Sequence, residues 1–409
     1  MRIIDLFSGA GGLTFGFYYR IRKNRFIRNK KSEFVFANEM NIEAAKAFAR
    51  NYPDITMINR DIRSLQDEEL YEMIGDKPID IIIGGPPCQS FSTIGQRIYD
   101  EKATLYEEYL RVLKISRPKI FVFENVKGIL YMKETYYAKD ENGKIKYKTI
   151  GKKKNGEKKR KPIITGYGKP VIDVIKNKFA NIDSTLGYTI SCDTLNAMDF
   201  GVPQNRERVF IVGVRNDLPV KWVFPNKRGG VPLTIRDAIS DMPEVFEGES
   251  RTCYDKSAQN DYQRLMRNNS EELTEHYCGE YGEKMRVVIR NVKQGQGRND
   301  FNKLVKAGKI DKKYELTSGY SNTYGRTLED QPAPTITHNM TAPSGIRCIH
   351  YSQNRALTPR EGARIQSFPD DFCFSGCMGD VTSQIGNAVP PLMALELAKQ
   401  VEKTIRELG

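Results

Sequence analysis

The chain predicts a doubly wound α/β fold, a largely parallel sheet with helices on both faces, joined to a second, smaller and irregular domain. Short apolar runs at residues 3–7, 34–37, 55–58, 79–83 and 120–123 each end near Gly or an acidic residue. Mixed polar and apolar stretches of helical length separate most of them, as crossover helices between parallel strands require. After residue 216 this pattern stops, and 220–350 is polar and rich in Gly, Asn and Tyr. Residues 391–408 are amphipathic and read as a closing helix.

Length and composition narrow the function. A chain of 409 residues has room for two or three folding units. No apolar run is long enough to span a bilayer, and the N-terminal residues lack a charged, apolar and small-residue leader pattern, so a cytoplasmic protein is expected. Seven scattered cysteines, an odd number, favour reduced thiols over a disulfide framework. Cys373 and Cys377 have no histidine or second cysteine pair nearby, and the three histidines, His276, His338 and His350, all come late in the chain. Zinc ligation and histidine catalysis are poorly supported, and no metal is expected. The formal charge of +13 favours a polyanionic partner. Residues 139–161 carry eleven Lys or Arg against three Asp or Glu, eight of the thirteen surplus charges. Asn142-Gly143 and Asn155-Gly156 are turn signals there, so a protruding hairpin is expected, and the basic run 20–31 reads as a second surface insertion. Each is as consistent with a solvated face as with nucleic-acid contact.

In doubly wound sheets ligands bind beyond the carboxyl ends of the strands, which directs attention to Gly9, Glu39, Asp61, Cys88 and Glu124. The first run leads into Ser8-Gly9-Ala10-Gly11-Gly12, a glycine turn that brings backbone close to a ligand. A dinucleotide fingerprint needs glycine where Thr14 stands, which disfavours a nicotinamide cofactor. Glu39 can accept from both hydroxyls of a ribose and Asp61 from an adenine amino group, which fits an adenosine-containing cofactor. Either residue alone reads more simply as a helix cap.

The sharpest segment is Gly84-Gly85-Pro86-Pro87-Cys88-Gln89-Ser90-Phe91-Ser92. Two prolines stiffen the approach to a thiol at a strand's carboxyl end near a helix entry, where a thiolate is favoured. A zinc deaminase also uses Pro-Cys, but it requires a second cysteine three residues on and an earlier His-x-Glu, and neither is present. Glu124-Asn125-Val126 ends the next run and brings a carboxyl group to the same sheet edge. A thiol beside a carboxylic acid suits attack on an electron-poor ring, since the acid stabilises the charge delivered to a ring nitrogen. Gln204-Asn205-Arg206-Glu207-Arg208 then precedes another apolar strand. Its two guanidinium forks can hold a base carbonyl and a phosphate, or can form a surface ion-pair strip.

Six segments together resemble the ordered motifs of the C5-cytosine DNA methyltransferase family: residues 5–12, 86–89, 124–126, 204–208, 355–370 and 384–391. The resemblance spans nearly the whole chain. It implies a Rossmann-like catalytic domain over 1–215 with a basic insertion at about 133–167, a target-recognition domain over 216–365 and a hinge over 366–385. Residues 386–409 would return to complete the first domain. It further implies Cys88 as the nucleophile at cytosine C6, Glu124 at N3, Arg208 at the base carbonyl and Arg206 in support. S-adenosylmethionine is the implied cofactor, held by Phe7, Gly9, Gly11, Gly12, Glu39, Met40, Asp61, Ile62, Pro87, Leu105, Asn387 and Val389. Met40 stands where some family members have tryptophan, and its sulfur and alkyl packing would replace that ring.

For the substrate, the resemblance implies double-stranded DNA with the target base flipped out of the stack. Gln89, Ser92, Arg97, Thr335 and Ile336 are the implied DNA contacts. A bacterial, nucleoid-associated monomer is expected, the modification half of a restriction system whose endonuclease is a functional rather than a physical partner. Two rivals are a tRNA methyltransferase on the same scaffold and a catalytically silent DNA-binding protein. The long recognition region weighs against the first, and the trio Cys88, Glu124 and Arg208 against the second.

Overall fold

The computed structural model describes residues 1–86, 105–152, 157–268 and 270–408. Pro87, Cys88, Gln89, Ser92 and Arg97 lie outside the described residues.

The first half alternates as its apolar runs require. In order come β1 (Arg2–Leu6), α1 (Gly12–Tyr18), the short ribbon β2 (Tyr19–Arg22) and β3 (Arg25–Arg28), β4 (Glu33–Asn38), α2 (Ile42–Asn51) and β5 (Met57–Ile58). They are followed by α3 (Asp67–Ile74), β6 (Ile81–Gly84), α4 (Leu105–Ser116) and β7 (Ile120–Val126). Next is an arm of four strands, β8 (Lys133–Tyr137), β9 (Tyr147–Lys152), β10 (Lys158–Pro162) and β11 (Ile164–Pro170). The half closes with α5 (Val171–Ala180), β12 (Tyr188–Asn196) and β13 (Glu207–Arg215).

Seven strands form one sheet in the order β12-β13-β7-β6-β1-β4-β5. Strands β7, β6, β1, β4 and β5 run parallel, and β13 enters antiparallel between β7 and β12. From β1 the chain winds first to β4 and later to β6 on its other side, so β1 borders the crevice where such sheets take ligands. Burial on both faces explains the unbroken apolar runs. Ile3, Ile81, Ile83, Ile120 and Val122 face one core with α1, α2 and the C-terminal helix, while Ile4, Ile82, Phe121 and Phe123 face the other with α3, α4 and α5.

The basic run 20–31 is the β2–β3 ribbon, turning at Lys23 and Asn24, both with positive φ. It is not a wholly solvated insertion. Phe26 is buried in the core, and Arg28 pairs with Asp54 at 3.0 Å.

Beyond β13 the chain carries short helices, α6 (Ile235–Ile239), α7 (Asp261–Arg267), α8 (Glu283–Asn291) and α9 (Arg298–Lys306), and among the described residues its segments are joined by isolated bridges rather than strands. Their apolar side chains fall into two clusters: Ile235, Ala238, Ile239, Tyr262, Leu265 and Met266 of α6 and α7 join the core on one face of the sheet, while Val288, Val292, Phe301, Val305 and Leu316 around α8 and α9 form a small one of their own. Buried arginines supply the missing order. Arg326 donates to the carbonyls of Ile289, Val292, His350 and Gln353 and to Asn354. Ile289 and Val292 stand at the C-terminal end of α8, and His350 and Gln353 lie in loops, so these carbonyls need partners beyond their own element.

The segment 355–370 holds α10 (Pro359–Ile365), capped reciprocally by Thr358 and Glu361. Its arginines turn inward. Arg355 grips Glu361 at 2.6 and 2.7 Å, and Arg364 bridges Asp241 at 2.6 Å and Asp370. Burial alone would raise the Glu361 pKa, but the Arg355 guanidinium holds it far below the usual carboxylate range. Helices α11 (Met378–Asn387) and α12 (Pro391–Arg406) return the chain to the sheet. There α12 packs on α1 so closely that a Cβ on Gly16 would lie 2.2 Å from the Ala394 backbone.

Arg364→Met should destabilise the protein by about 3–5 kcal/mol, because two buried carboxylates lose their shared cation. Urea unfolding measures this. A loss under about 1 kcal/mol would contradict the role given to the pair.

Candidate active site

Glu124 lies within β7, opposite Phe210 of β13, while Arg208 lies opposite Val126. The two side chains therefore sit diagonally on one face of an antiparallel pair, the spacing at which long side chains meet. Arg208 Nε approaches Glu124 Oε1 to 3.0 Å, each side chain 11 % exposed. Burial pushes the Glu124 pKa up, against the pull of Arg208 and Arg206. The carboxyl is thus biased toward its protonated, hydrogen-bond-donating form.

Gly85, the residue immediately after β6, backs onto this carboxyl: a Cβ there would lie 2.6 Å from Glu124 Oε2. Backbone leading into the Pro-Pro-Cys segment therefore passes directly beside Glu124. A side chain at this position would have to push the Glu124 carboxyl aside.

Arg206 points elsewhere. It is fully buried and donates to the Ile336 carbonyl at 2.9 Å, the Gly386 carbonyl at 2.7 Å and the Ala388 carbonyl at 3.0 Å. Gln204 adds to the same knot, accepting from Ile336 N at 2.8 Å and donating to Gln366 at 2.6 Å. Thr335 donates its hydroxyl to the Asn205 carbonyl at 2.9 Å, and Ile336 is buried. The 204–208 segment thus does two jobs: Arg208 faces the site, and the residues before it lash the late segments to the sheet. Exposed Asn387 sits between two of the pinned carbonyls, next to buried Val389.

At the crevice beside β1, Phe7 and Gly9 both have φ of 56° and Gly11 has 93°. Each glycine answers a different need. A Cβ on Gly11 would strike the Tyr52 ring at 2.2 Å, one on Gly12 the Val389 carbonyl at 2.4 Å, and one on Gly9 would meet nothing within 4 Å. Only Gly9 faces open space, where a ligand can approach; Gly11 and Gly12 are required by packing. Strain at Phe7, a non-glycine residue with positive φ, is the kind retained at binding sites. Thr14, where a dinucleotide site has glycine, donates its hydroxyl to buried Asp5, whose pKa burial raises to about 8.

Glu39 closes this crevice. Its two oxygens accept from Gly9 N at 2.9 Å and Asn41 N at 2.7 Å. A carboxylate has about four acceptor positions, so capacity remains for a diol. Met40 beside it is 64 % exposed, an apolar side chain open to a flat ring. Asn59 donates to the carbonyls of both Glu39 and Met40, and Asn38 donates to those of Ile58 and Arg60. These two asparagines were not singled out from sequence, although both flank acidic candidates. Asp61 caps the turn Ile62–Ser64 and pairs with Arg63 at 2.6 Å. Ile62 is buried in the second core, and Leu105 opens α4, partly buried against it. Open space at Gly9, spare acceptors on Glu39 and exposed Met40 fit an adenosyl group.

The model of the C-5 cytosine-specific DNA methylases matches residues 1–146 and 162–403. The chain belongs to that family. It is accordingly a DNA (cytosine-5)-methyltransferase. Type II methyltransferase M.DdeI of Desulfomicrobium norvegicum is 32% identical over 98% of this chain and 88% of its own length. Type II methyltransferase M1.HphI of Haemophilus parahaemolyticus is 32% identical over 98% of this chain and 86% of its own length. Among solved structures, one titled a DNA modification methyltransferase encoded within an E. coli prophage superposes with a TM-score of 0.70. It is 23% identical, with 99% of each chain covered. The Spodoptera frugiperda DNMT2 structure superposes at 0.56 with 16% identity, covering 98% of this chain and 99% of its own. Among the described residues no group of side chains is arranged to hold a metal, and no helix is long and apolar enough to cross a membrane.

Two substitutions test this geometry. Gly85→Ala should lower kcat at least tenfold with little change in thermal midpoint, since the methyl group displaces a carboxyl that Arg208 pins; wild-type kcat would contradict the contact. Glu124→Gln should lower kcat by about 10²–10⁴-fold. A raised pKa means that the active, protonated form is lost as pH rises through it, so wild-type kcat should fall with pH and the Gln variant should lose that fall. An unchanged pH profile in the variant would exclude Glu124 as the titrating acid.

Proposed function

We propose that this methyltransferase modifies C5 of a cytosine flipped out of duplex DNA through a covalent adduct between Cys88 and C6. S-adenosylmethionine would supply an electrophilic methyl group on its sulfonium. The observation that carries the reading is the buried Glu124–Arg208 pair with Gly85 against the Glu124 carboxyl, because it puts an acid beside the entry to the cysteine segment.

The chemistry follows from what cytosine lacks. Its C5 is a weak nucleophile, and addition of the Cys88 thiolate at C6 moves electron density toward C5 and N3. Glu124 donates to N3 and offsets that charge, while Arg208 orients Glu124 and reaches the base carbonyl. Once C5 has taken the methyl group, a base removes the C5 proton, the C5–C6 double bond re-forms and Cys88 leaves as thiolate. A stacked base cannot offer C6 to a side chain, which is why flipping belongs to the reading.

Phe7, the Gly9 turn, Glu39 and Met40 are the proposed cradle for the adenosyl group, with Asn387 and Val389 closing it from the returning segment. Asp61, Ile62, Pro87 and Leu105 remain proposed neighbours of the adenine side. Residues 216–365 would read the target sequence in the major groove, with Thr335 near the DNA and Gln89, Ser92 and Arg97 on the catalytic side. The relatives' names, both Type II methyltransferases, support a role as the modification half of a restriction system; action on the nucleoid in the cytoplasm is part of the same proposal.

Incubation with methyl-labelled S-adenosylmethionine and either unmethylated genomic DNA or total tRNA, followed by base-resolution mapping, tests the substrate. Label should appear in DNA at one short recurring sequence, and label confined to tRNA would overturn the reading. Cys88→Ala should abolish turnover while DNA binding persists; unchanged methylation would exclude the adduct.

A further inference from the structure

We propose that the basic arm β8–β11 is a second DNA-binding element that grips the phosphates of duplex DNA outside the target sequence. This rests on the duplex-DNA reading above and extends it to a surface the catalytic site does not use. The family model passes over residues 147–161, so this part of the arm is an addition to the shared scaffold.

The arm is rooted at the catalytic edge. β7, which carries Glu124, runs into the turn Lys127–Leu130, and β8 begins at Lys133, with Val171 N bonded to the Met132 carbonyl at 2.9 Å to close the base. Antiparallel pairing of β8 with β11 is continued outward by that of β9 with β10. Between the two ribbons, Ala138 N donates to Ile163 O at 2.9 Å, Ile163 N to Lys146 O at 2.9 Å and Lys146 N to Ala138 O at 2.7 Å. The returning strand, residues 158–170, therefore runs through both ribbons, roughly 40 Å at about 3.3 Å per residue. Roughly 40 Å is about one turn of DNA.

Its composition is wrong for a self-contained ornament. Lys144, Lys146, Lys148, Lys158, Arg160 and Lys161 are all exposed. Lys148 and Lys161 are direct cross-strand partners, and like charges placed so are destabilising. A two-stranded ribbon is marginal even without that cost. A row of phosphates removes the repulsion and gains from counterion release. Tyr136, Tyr147 and Tyr167, each more than half exposed, add hydroxyls that can bond phosphate oxygens.

The test measures binding of the full-length protein to duplexes carrying its mapped target, either short or extended by about one helical turn on each side, across a salt series. Wild type should bind the extended duplex at least tenfold more tightly at low salt. Replacing Lys148, Lys158, Arg160 and Lys161 with Gln should erase that advantage and reduce the slope of log K against log salt by about three. Replacing the three lysines with Arg should preserve both. All four positions are exposed, and an unchanged thermal midpoint verifies the fold. An unchanged slope, or no length advantage in wild type, overturns the proposal, as does a loss confined to tRNA binding. If wild type does not methylate duplex DNA at all, the substrate reading itself has failed; if it does and the slope is unmoved, only the arm has.

Discussion

Arg206 exchanges water for three backbone carbonyls, and the site depends on that exchange. The acceptors come from Ile336 in the middle region and from Gly386 and Ala388 near the C-terminus. These bonds fill the Nη donors of a buried guanidinium, so the two segments cannot drift from the sheet without leaving a buried charge further unsatisfied. Burial works against the charge on Arg206, as does the neighbouring Arg208 cation, and the Glu124 carboxyl favours it. Two residues on, at the start of β13, Arg208 meets Glu124. The lashing of late segments to the sheet and the orientation of the acid are therefore coupled through one short piece of backbone.

The same logic shapes the glycine loop. Gly12 is small because the Val389 segment lies against it, and Gly16 because α12 does. Arg206 holds that returning segment on one side while the glycines admit it on the other. The open space left at Gly9, framed by Glu39 and Met40, is what remains of the crevice once the C-terminal residues have docked. A buried ionic cluster around α10 ties together segments of the irregular middle region, whose α6 and α7 pack into the sheet's core while α8 and α9 share a small apolar cluster of their own.

Much of this was legible from sequence, for local reasons. Five apolar runs became the five parallel strands, since a strand buried on both faces must be apolar throughout, although the run at 55–58 contracted to Met57–Ile58. Glu124 and Arg208 were readable because each sits in a short motif at a strand end. What escaped reading depends on partners far away in the chain. Arg364 looks like a surface charge until Asp241, 123 residues distant, is placed beside it. Arg206 reads from sequence as support for the site and Gly12 as part of a ligand loop, but neither residue carries a local sign of the returning segment that packs against it. β12 was not singled out, and its burial explains why. Only Tyr188 and Leu195 of its nine residues are buried, so it lacks the apolar run that marked the other strands.

The account turns on whether Cys88 bonds to the target base beside Glu124. Fluorine at C5 cannot leave as a proton does, so a duplex bearing 5-fluorocytosine at the mapped target should stop the reaction after methyl transfer, with the enzyme still attached. Mass spectrometry of the digested complex is predicted to find one peptide, containing Cys88, covalently joined to the methylated base. Attachment at another residue, or full methylation of ordinary DNA with no trapped complex on the fluorinated duplex, would contradict the account.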